Sequence, residues 1–270
     1  MRRVLLLLVF LALAGLGWCY AQAIADPVVR RATVTLPDWP AGARPVRVLL
    51  WSDLHLLNAA TGPARLERIV AQVNALRPDL VLIAGDFVGG HERGDARAAA
   101  EALPALERLR APLGVVAVLG NHDHRTDAPL VRSALEGAGV VVLANETARR
   151  GPLAVGGLDD MVTGHAEFSR TFRAARRAGG ARVILSHTPD VAPFMPRDAP
   201  LLLAGHTHCG QIVLPVVGAP ATASRYGERY RCGLKREGAR AVIVTAGTGT
   251  SLLPLRFGAR PDWWLLTLGP

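Results

Sequence analysis

The stretch VRVLLWSDLH, residues 46–55, runs apolar from Val48 through Trp51 and turns polar at Asp53 and His55. A strand with one face in water alternates apolar and polar residues. A near-continuous apolar run describes a strand covered on both faces, as in sheets packed against other layers. The same pattern recurs in LVLIAGD (80–86), GVVAVLGNHD (114–123), ARVILSH (181–187) and PLLLAGH (200–206). Helical stretches lie between these runs. In residues 61–79, Pro63 fits a first turn and Leu66, Ile69, Val70, Val73 and Leu76 share one face. Residues 95–110 read as a second helix interrupted near Pro104. Residues 127–137 and 166–178 read as further helices, and 139–143, 152–156, 241–247 and 263–268 as further strands. This alternation predicts a layered α/β fold.

The polar residues at the run ends form a pattern of their own. Asp53-Leu54-His55, Gly85-Asp86, Gly120-Asn121-His122-Asp123, Ser186-His187 and Gly205-His206-Thr207-His208 each follow an apolar run. Taken singly, a histidine there satisfies core hydrogen bonds and an aspartate caps the next helix. Five such coincidences are a weaker account than one site outside the carboxyl ends of the strands, where open α/β sheets bind ligands. Carboxylate oxygens and imidazole nitrogens ligate first-row divalent metals without any thiolate. Asp53 and His55 are two apart, as are His206 and His208, so each pair would point to one side of an extended segment. Asn121 would contribute through its carbonyl oxygen, and the flanking glycines would let the backbone turn tightly.

The chain has 270 residues and a formal net charge of +9. Its basic residues are arginines except for Lys235. The charge reads as arginine bias or as attraction to phosphates and acidic lipid surfaces. Cys19, Cys209 and Cys232 make neither a zinc motif nor a disulfide framework, although Cys209 and Cys232 could pair in an oxidising compartment. Residues 1–25 read as a transmembrane anchor or signal segment. The apolar run Val4–Ala25, broken only by Gln22, would extend about 33 Å as a helix. Trp18 and Tyr20 suit an interface, while Ala23-Ile24-Ala25 has the form of a cleavage site. The length favours an uncleaved single pass. With Arg2 and Arg3 inside, the body stands on the extracytoplasmic side of the cell inner membrane, a placement that Arg30 and Arg31 oppose. Residues 26–45 read as a tether or first strand, and 46–270 as the domain.

The blocks SDLH, GDF, GNHD, SHTP and GHTH, in this order, resemble the calcineurin-like metallophosphoesterase superfamily. GHTHCGQIVLP and GTSLLPLRFG resemble its membrane-associated bacterial phosphodiesterase branch, which is similar to some enzymes cleaving the pyrophosphate of UDP-2,3-diacylglucosamine. The resemblance implies an αββα sandwich of two mixed sheets flanked by helices, with a metal site at the strand C-terminal ends. It implies two divalent ions, with manganese, iron, zinc, nickel and cobalt undistinguished. One would take Asp53, His55, Asp86 and His208; the other would share Asp86 and add Asn121, His187 and His206. Hydrolysis of a phosphodiester or pyrophosphate would proceed by a hydroxide between the ions, with His122 stabilising the transition state or protonating the leaving oxygen. Asp123 would orient His122 or make turn hydrogen bonds. His124, Arg125 and Arg225 are expected substrate contacts, each set against a reading as a surface residue. The implied partner is a phosphate-containing small molecule or a lipid, plus the membrane itself. Two rivals remain: a nuclease or nucleotide phosphodiesterase, which the anchor opposes, and a non-catalytic metal-binding scaffold. The turn TAGTGTS departs from the branch and leaves the substrate open.

Overall fold

The computed structural model describes residues 1–56 and 60–270. The chain runs α1 (Arg2–Ile24), β1 (Val28–Thr35), β2 (Val46–Trp51), α2 (Pro63–Ala75), β3 (Leu80–Ala84) and α3 (Arg93–Ala102). It continues through β4 (Val115–Val118), α4 (Asn121–Thr126), α5 (Ala128–Gly137), β5 (Val141–Val142), β6 (Glu146–Arg150) and β7 (Leu153–Gly157). The remainder is α6 (Phe168–Ala178), β8 (Ala181–Leu185), β9 (Leu201–Ala204), β10 (Gly233–Glu237), β11 (Arg240–Val244) and β12 (Asp262–Gly269). Two sheets result, ordered β1-β12-β2-β3-β4-β5 and β10-β11-β9-β8-β7-β6. Both are mixed. In the first, β2 to β5 run parallel and β12 runs antiparallel to β2. In the second, β7, β8, β9 and β11 run parallel, and β6 and β10 close the edges antiparallel.

The apolar runs explain the layering. Along β2, Val48 and Leu50 enter a core shared with Val116, Leu185 and Leu203 of both sheets. Leu49 and Trp51 point the other way, into a core with Leu66 and Ile69 of α2 and Leu135 of α5. On the outer face of the second sheet, Ile184, Leu202 and Val242 pack against Phe172 and Ala175 of α6. The order is therefore helix, sheet, sheet, helix, as the resemblance implies. Each fully buried leucine or valine contributes about 1.5–3 kcal/mol relative to exposure.

Two strands differ from the sequence expectation. β6 (ETARR) and β10 (GLKRE) lack an apolar period because they are edge strands, where charge keeps the sheet from pairing with other chains. β1 pairs with β12 along all eight residues, so residues 28–35 of the tether-or-strand segment 26–45 are built into the first sheet. The helix read over 95–110 is interrupted where expected: it gives way at Leu103 to a 3₁₀ turn, Leu103–Arg108, with Pro104 in its first turn.

α1 is long and apolar enough to cross a membrane. Its C-terminal end is tied to the body: Arg256 N donates to Cys19 O at 2.9 Å, and Arg65 Nη2 to Ala25 O at 3.0 Å. Cys209 and Cys232 form a disulfide across 23 residues. Chain-entropy arithmetic for a loop of that size gives about 3 kcal/mol. Reduction is therefore expected to lower the melting temperature by about 6–12 °C in a calorimetric scan. An unchanged melting temperature with both thiols demonstrably free would contradict it.

Candidate metal centre

Every expected donor lies just past a strand. β2 ends at Trp51, β3 at Ala84, β4 at Val118, β8 at Leu185 and β9 at Ala204, and the polar tips follow. The backbone there is not extended. Asp53 (φ 50°), His55 (44°), Asp86 (54°), His206 (69°) and His208 (50°) all occupy the left-handed region. This corrects the expectation that two-residue spacing on an extended segment aligns each pair. The pairs do converge, but through tight turns, at roughly 1–3 kcal/mol of backbone strain per residue. Such turns need neighbours without side chains. A Cβ at Gly120 would strike Asp86, and one at Gly205 would strike Ser52 and Asp53.

The donors assemble around Asp86. Its Oδ2 lies 3.2 Å from His187 Nε2 and 3.6 Å from His55 Nε2, while its Oδ1 accepts from His122 N at 2.9 Å. On one side, His55 Nε2 and His208 Nε2 stand 3.1 Å apart, with Asp53 Oδ1 at 3.5 Å from His208 Nε2. On the other, His187 Nε2 is 3.0 Å from His206 Nδ1 and 3.1 Å from Asn121 Oδ1. His187 donates Nδ1–H to Ala84 O at 2.7 Å, which fixes its tautomer and turns Nε2 toward the cluster. All seven residues are buried apart from His206, which is partly exposed.

Electrostatics reflect two carboxylates closed in with imidazoles. Burial opposes charge on Asp86, yet His187 beside it holds the carboxyl well below the usual range. Burial likewise opposes charge on Asp53, and His208 and His55 bring it down. Burial works against a proton on His187, but Asp86 wins and pushes it up to about 10. His206 is brought down to about 4 by burial and by the His187 charge.

The donor set fits divalent cations. Asp53 Oδ1 is buried with no hydrogen-bond partner among the described residues, and two pairs of ring nitrogens approach as closely as hydrogen-bonded atoms. Three donor groups can each gather their atoms around one point: Asp53–His55–His208, Asp86–His187–His206 and His55–Asp86–His122. Asp86 and His55 each belong to two of them.

Of the remaining expected residues, His122 is buried beside the cluster, and its Nδ1 donates to Gly90 O at 2.9 Å. Gly90, not Asp123, therefore orients the ring. Asp123 instead accepts from the backbone N–H groups of Asp86, Phe87, Val88 and Gly120 at 2.9–3.0 Å, stapling two donor loops together. His124 is partly buried rather than a free surface residue. Its Nε2 lies 2.7 Å from Asp159 and its ring stacks on His165 at 4.2 Å, outside the donor groups. Arg125 is exposed. Arg225 lines a hollow of about 120 Å³ together with His206, Asp190 and Thr188. Phe257 is partly buried, and Trp263 and Trp264 are buried in the core.

Sequence reasoning missed Arg256. It is fully buried and donates to the carbonyls of Gly249 (2.6 Å), Ala246 (2.8 Å), Ala259 (3.1 Å) and His208 (3.4 Å). A lone arginine in the apolar text LLPLRFG was the available signal. Burial pulls its pKa down to about 10, so it remains a cation at neutral pH. Arg256→Leu is expected to cost about 3 kcal/mol or more in chemical denaturation, because several buried carbonyls lose their donor. Arg256→Lys should not restore it, since an ammonium lacks the planar fork. Wild-type stability in either variant would refute the bracing role.

Comparison with known proteins agrees with this geometry. The calcineurin-like phosphoesterase family matches residues 46–210. The chain is 31% identical over 266 residues to the Bacillus subtilis (strain 168) protein named uncharacterized metallophosphoesterase YkuE, covering 94% of this chain and 91% of that one. It is 33% identical over 236 residues to phosphodiesterase YaeI of Escherichia coli (strain K12), covering 84% and 83%. A Danio rerio protein named transmembrane protein with metallophosphoesterase domain is 29% identical over 278 residues, covering 96% of this chain and 61% of that one.

Proposed function

The chain belongs to the calcineurin-like phosphoesterase family and is a metal-dependent phosphoric ester hydrolase, and from that premise we propose that it cleaves a phosphodiester or pyrophosphate bond in a lipid or cell-envelope substrate, such as a UDP-linked acylated sugar, with two divalent ions. Asp53, His55, Asp86 and His208 hold the first ion, and Asp86, Asn121, His187 and His206 the second. The observation that carries this reading is the position of Asp86, whose Oδ2 faces His55 on one side and His187 on the other. Two bound cations supply Lewis-acid charge and a water molecule of lowered pKa. Manganese, iron, zinc, nickel and cobalt all suit nitrogen and oxygen donors.

The chain's own residues divide the remaining work. His122 presents Nε2 to the site because Nδ1 is committed to Gly90. It is assigned the leaving-group side, where a proton must be delivered or negative charge stabilised. Arg225 faces the hollow beside His206, where a guanidinium can grip a phosphate oxygen with paired donors. Arg125, exposed one position beyond His124, is assigned a more peripheral contact, while His124 acts through its pairing with Asp159.

The apolar helix supports a single-pass protein with α1 as anchor and the catalytic body following it. The disulfide supports an extracytoplasmic body, since such bonds persist in oxidising compartments. We assign the protein to the inner membrane of a bacterial cell on this reading.

A metal-loaded screen tests the reading. With manganese added, the full chain should turn over bis(p-nitrophenyl) phosphate, and the same preparation should then be offered nucleotides, single-stranded DNA, lipid head groups and UDP-linked lipids. Turnover concentrated on the lipid-linked substrates supports the proposal. Preference for DNA replaces it with a nuclease, and a metal-loaded chain inert to every substrate replaces it with a scaffold.

A further inference from the structure

Two loops beside the metal centre carry apolar side chains into solvent. Leu252 is 87% exposed and Leu253 61%, and Val216 and Val217 are also exposed. The loops are braced against each other. Gln211 Nε2 donates to the carbonyls of Ser251 (3.0 Å) and Leu253 (3.1 Å), Gln211 Oε1 accepts from Ser251 N at 2.8 Å, and Val213 N donates to Phe257 O at 2.7 Å. Between them opens a cavity of about 460 Å³, lined by His208, Gln211, Ile212, Pro220, Ala221 and Leu252. An exposed apolar patch held on a rigid support marks an interaction surface.

The occupant follows from α1. Its residues Val4–Leu8 are exposed and need a hydrocarbon environment if the helix spans a membrane. Trp18 and Tyr20, the residue types that sit at membrane–water boundaries, flank Cys19. Cys19 O is the atom that accepts the hydrogen bond from Arg256 N. Arg256 closes the loop bearing Leu252 and Leu253. The level at which the helix leaves the hydrocarbon is therefore the level of these two loops.

We infer that loops 211–218 and 251–256 insert Val216, Val217, Leu252 and Leu253 into the same bilayer that α1 crosses, so that the cavity beside His208 opens at the membrane surface and receives the apolar part of an amphiphilic phosphoester. The substrate half of this statement rests on the phosphoesterase reading above; the membrane contact does not. The chain takes its substrate laterally from the lipid phase, with the phosphate at the donor cluster and the tail in the cavity. Apolar side chains seated at the boundary strengthen that contact in proportion to the area they bury.

The test uses the full chain with Cys19→Ser, which leaves the disulfide as the remaining cysteine pair. Single cysteines introduced as Val216→Cys or Leu253→Cys carry an environment-sensitive fluorophore. Val141→Cys on β5, at the opposite edge of the first sheet from β1, serves as the control. The protein is reconstituted in phosphatidylethanolamine–phosphatidylglycerol vesicles containing spin-labelled lipid. Blue-shifted emission quenched by the lipid label at 216 and 253, but not at 141, supports the docking. Water-like emission at 216 and 253 overturns it, and so does a blue shift without lipid quenching, which marks a second copy of the chain on this face.

Turnover then tests the substrate route. Val216→Asp with Leu253→Asp is expected to stay within about twofold of the parent on bis(p-nitrophenyl) phosphate and to fall at least about tenfold on a long-tailed phosphodiester embedded in vesicles. Equal rates on the embedded substrate overturn lateral capture. A parent chain inert to the soluble diester counts against the phosphoesterase reading instead, and the quenching result still decides the docking.

Discussion

Asp86→Ala should abolish turnover, by roughly a thousandfold or more, which corresponds to about 4 kcal/mol of barrier. The size follows from its position. Most donors in such a cluster serve one ion, so losing one weakens one site. Asp86 Oδ2 lies between His55 of the first proposed site and His187 of the second, so both proposed ions depend on it. Its loss also removes a negative charge from a site crowded with imidazoles, where His187 owes its raised pKa to Asp86. Elemental analysis of the purified variant should find neither ion retained at stoichiometric level. Asp86→Asn refines the test. An amide oxygen can still accept from His122 N, so the loop geometry is preserved while the charge is gone. If Asp86→Asn also loses metal and activity, the bridging charge is responsible; if it retains both ions and full rate, the shared role is wrong.

The convergence of these donors was legible in the text for a particular reason. Each apolar run is long enough to be a strand buried on both faces, and each ends in residues that no core would accept unpaired. Val48 to Trp51 followed by Asp53 and His55 announces both the layer and the site. The manner of convergence was not legible. Asp53, His55, Asp86, His206 and His208 adopt positive φ angles, and the enrichment of aspartate and histidine in the left-handed region is too weak to mark those positions in the sequence. The alignment argument from two-residue spacing therefore named residues that do converge, but through a different backbone. β6 and β10 escaped detection because an edge strand needs little apolar surface. Arg256 escaped because its partners are carbonyls at residues 208, 246, 249 and 259, which sequence patterns do not mark. Asp123 shows the limit from the other side. Adjacency to His122 left an orienting pair and turn hydrogen bonds both open, and four backbone donors claim its carboxylate.

His122→Ala is expected to retain two ions and lose about 10²–10⁴ in turnover. Retention is the demanding half, because His122 lies close enough to Asp86 and His55 to act as a donor itself. Two features favour the acid role. Its Nδ1 is spent on Gly90 O, and its backbone N–H, not its ring, holds Asp86 Oδ1, so truncating the side chain leaves that bond in place. As an acid the ring must carry a second proton on Nε2. Burial opposes that charge and pulls the pKa below its ordinary value, while Asp86 favours it. The leaving group separates the possibilities. A p-nitrophenolate departs without help, whereas an alkoxide needs a proton as the ester bond breaks. If His122 delivers that proton, the variant's deficit should be at least about tenfold larger for an alkyl phosphodiester than for the p-nitrophenyl one. A deficit equal for both, with both ions in place, leaves charge stabilisation as the role. Loss of an ion makes His122 a ligand and ends the assignment.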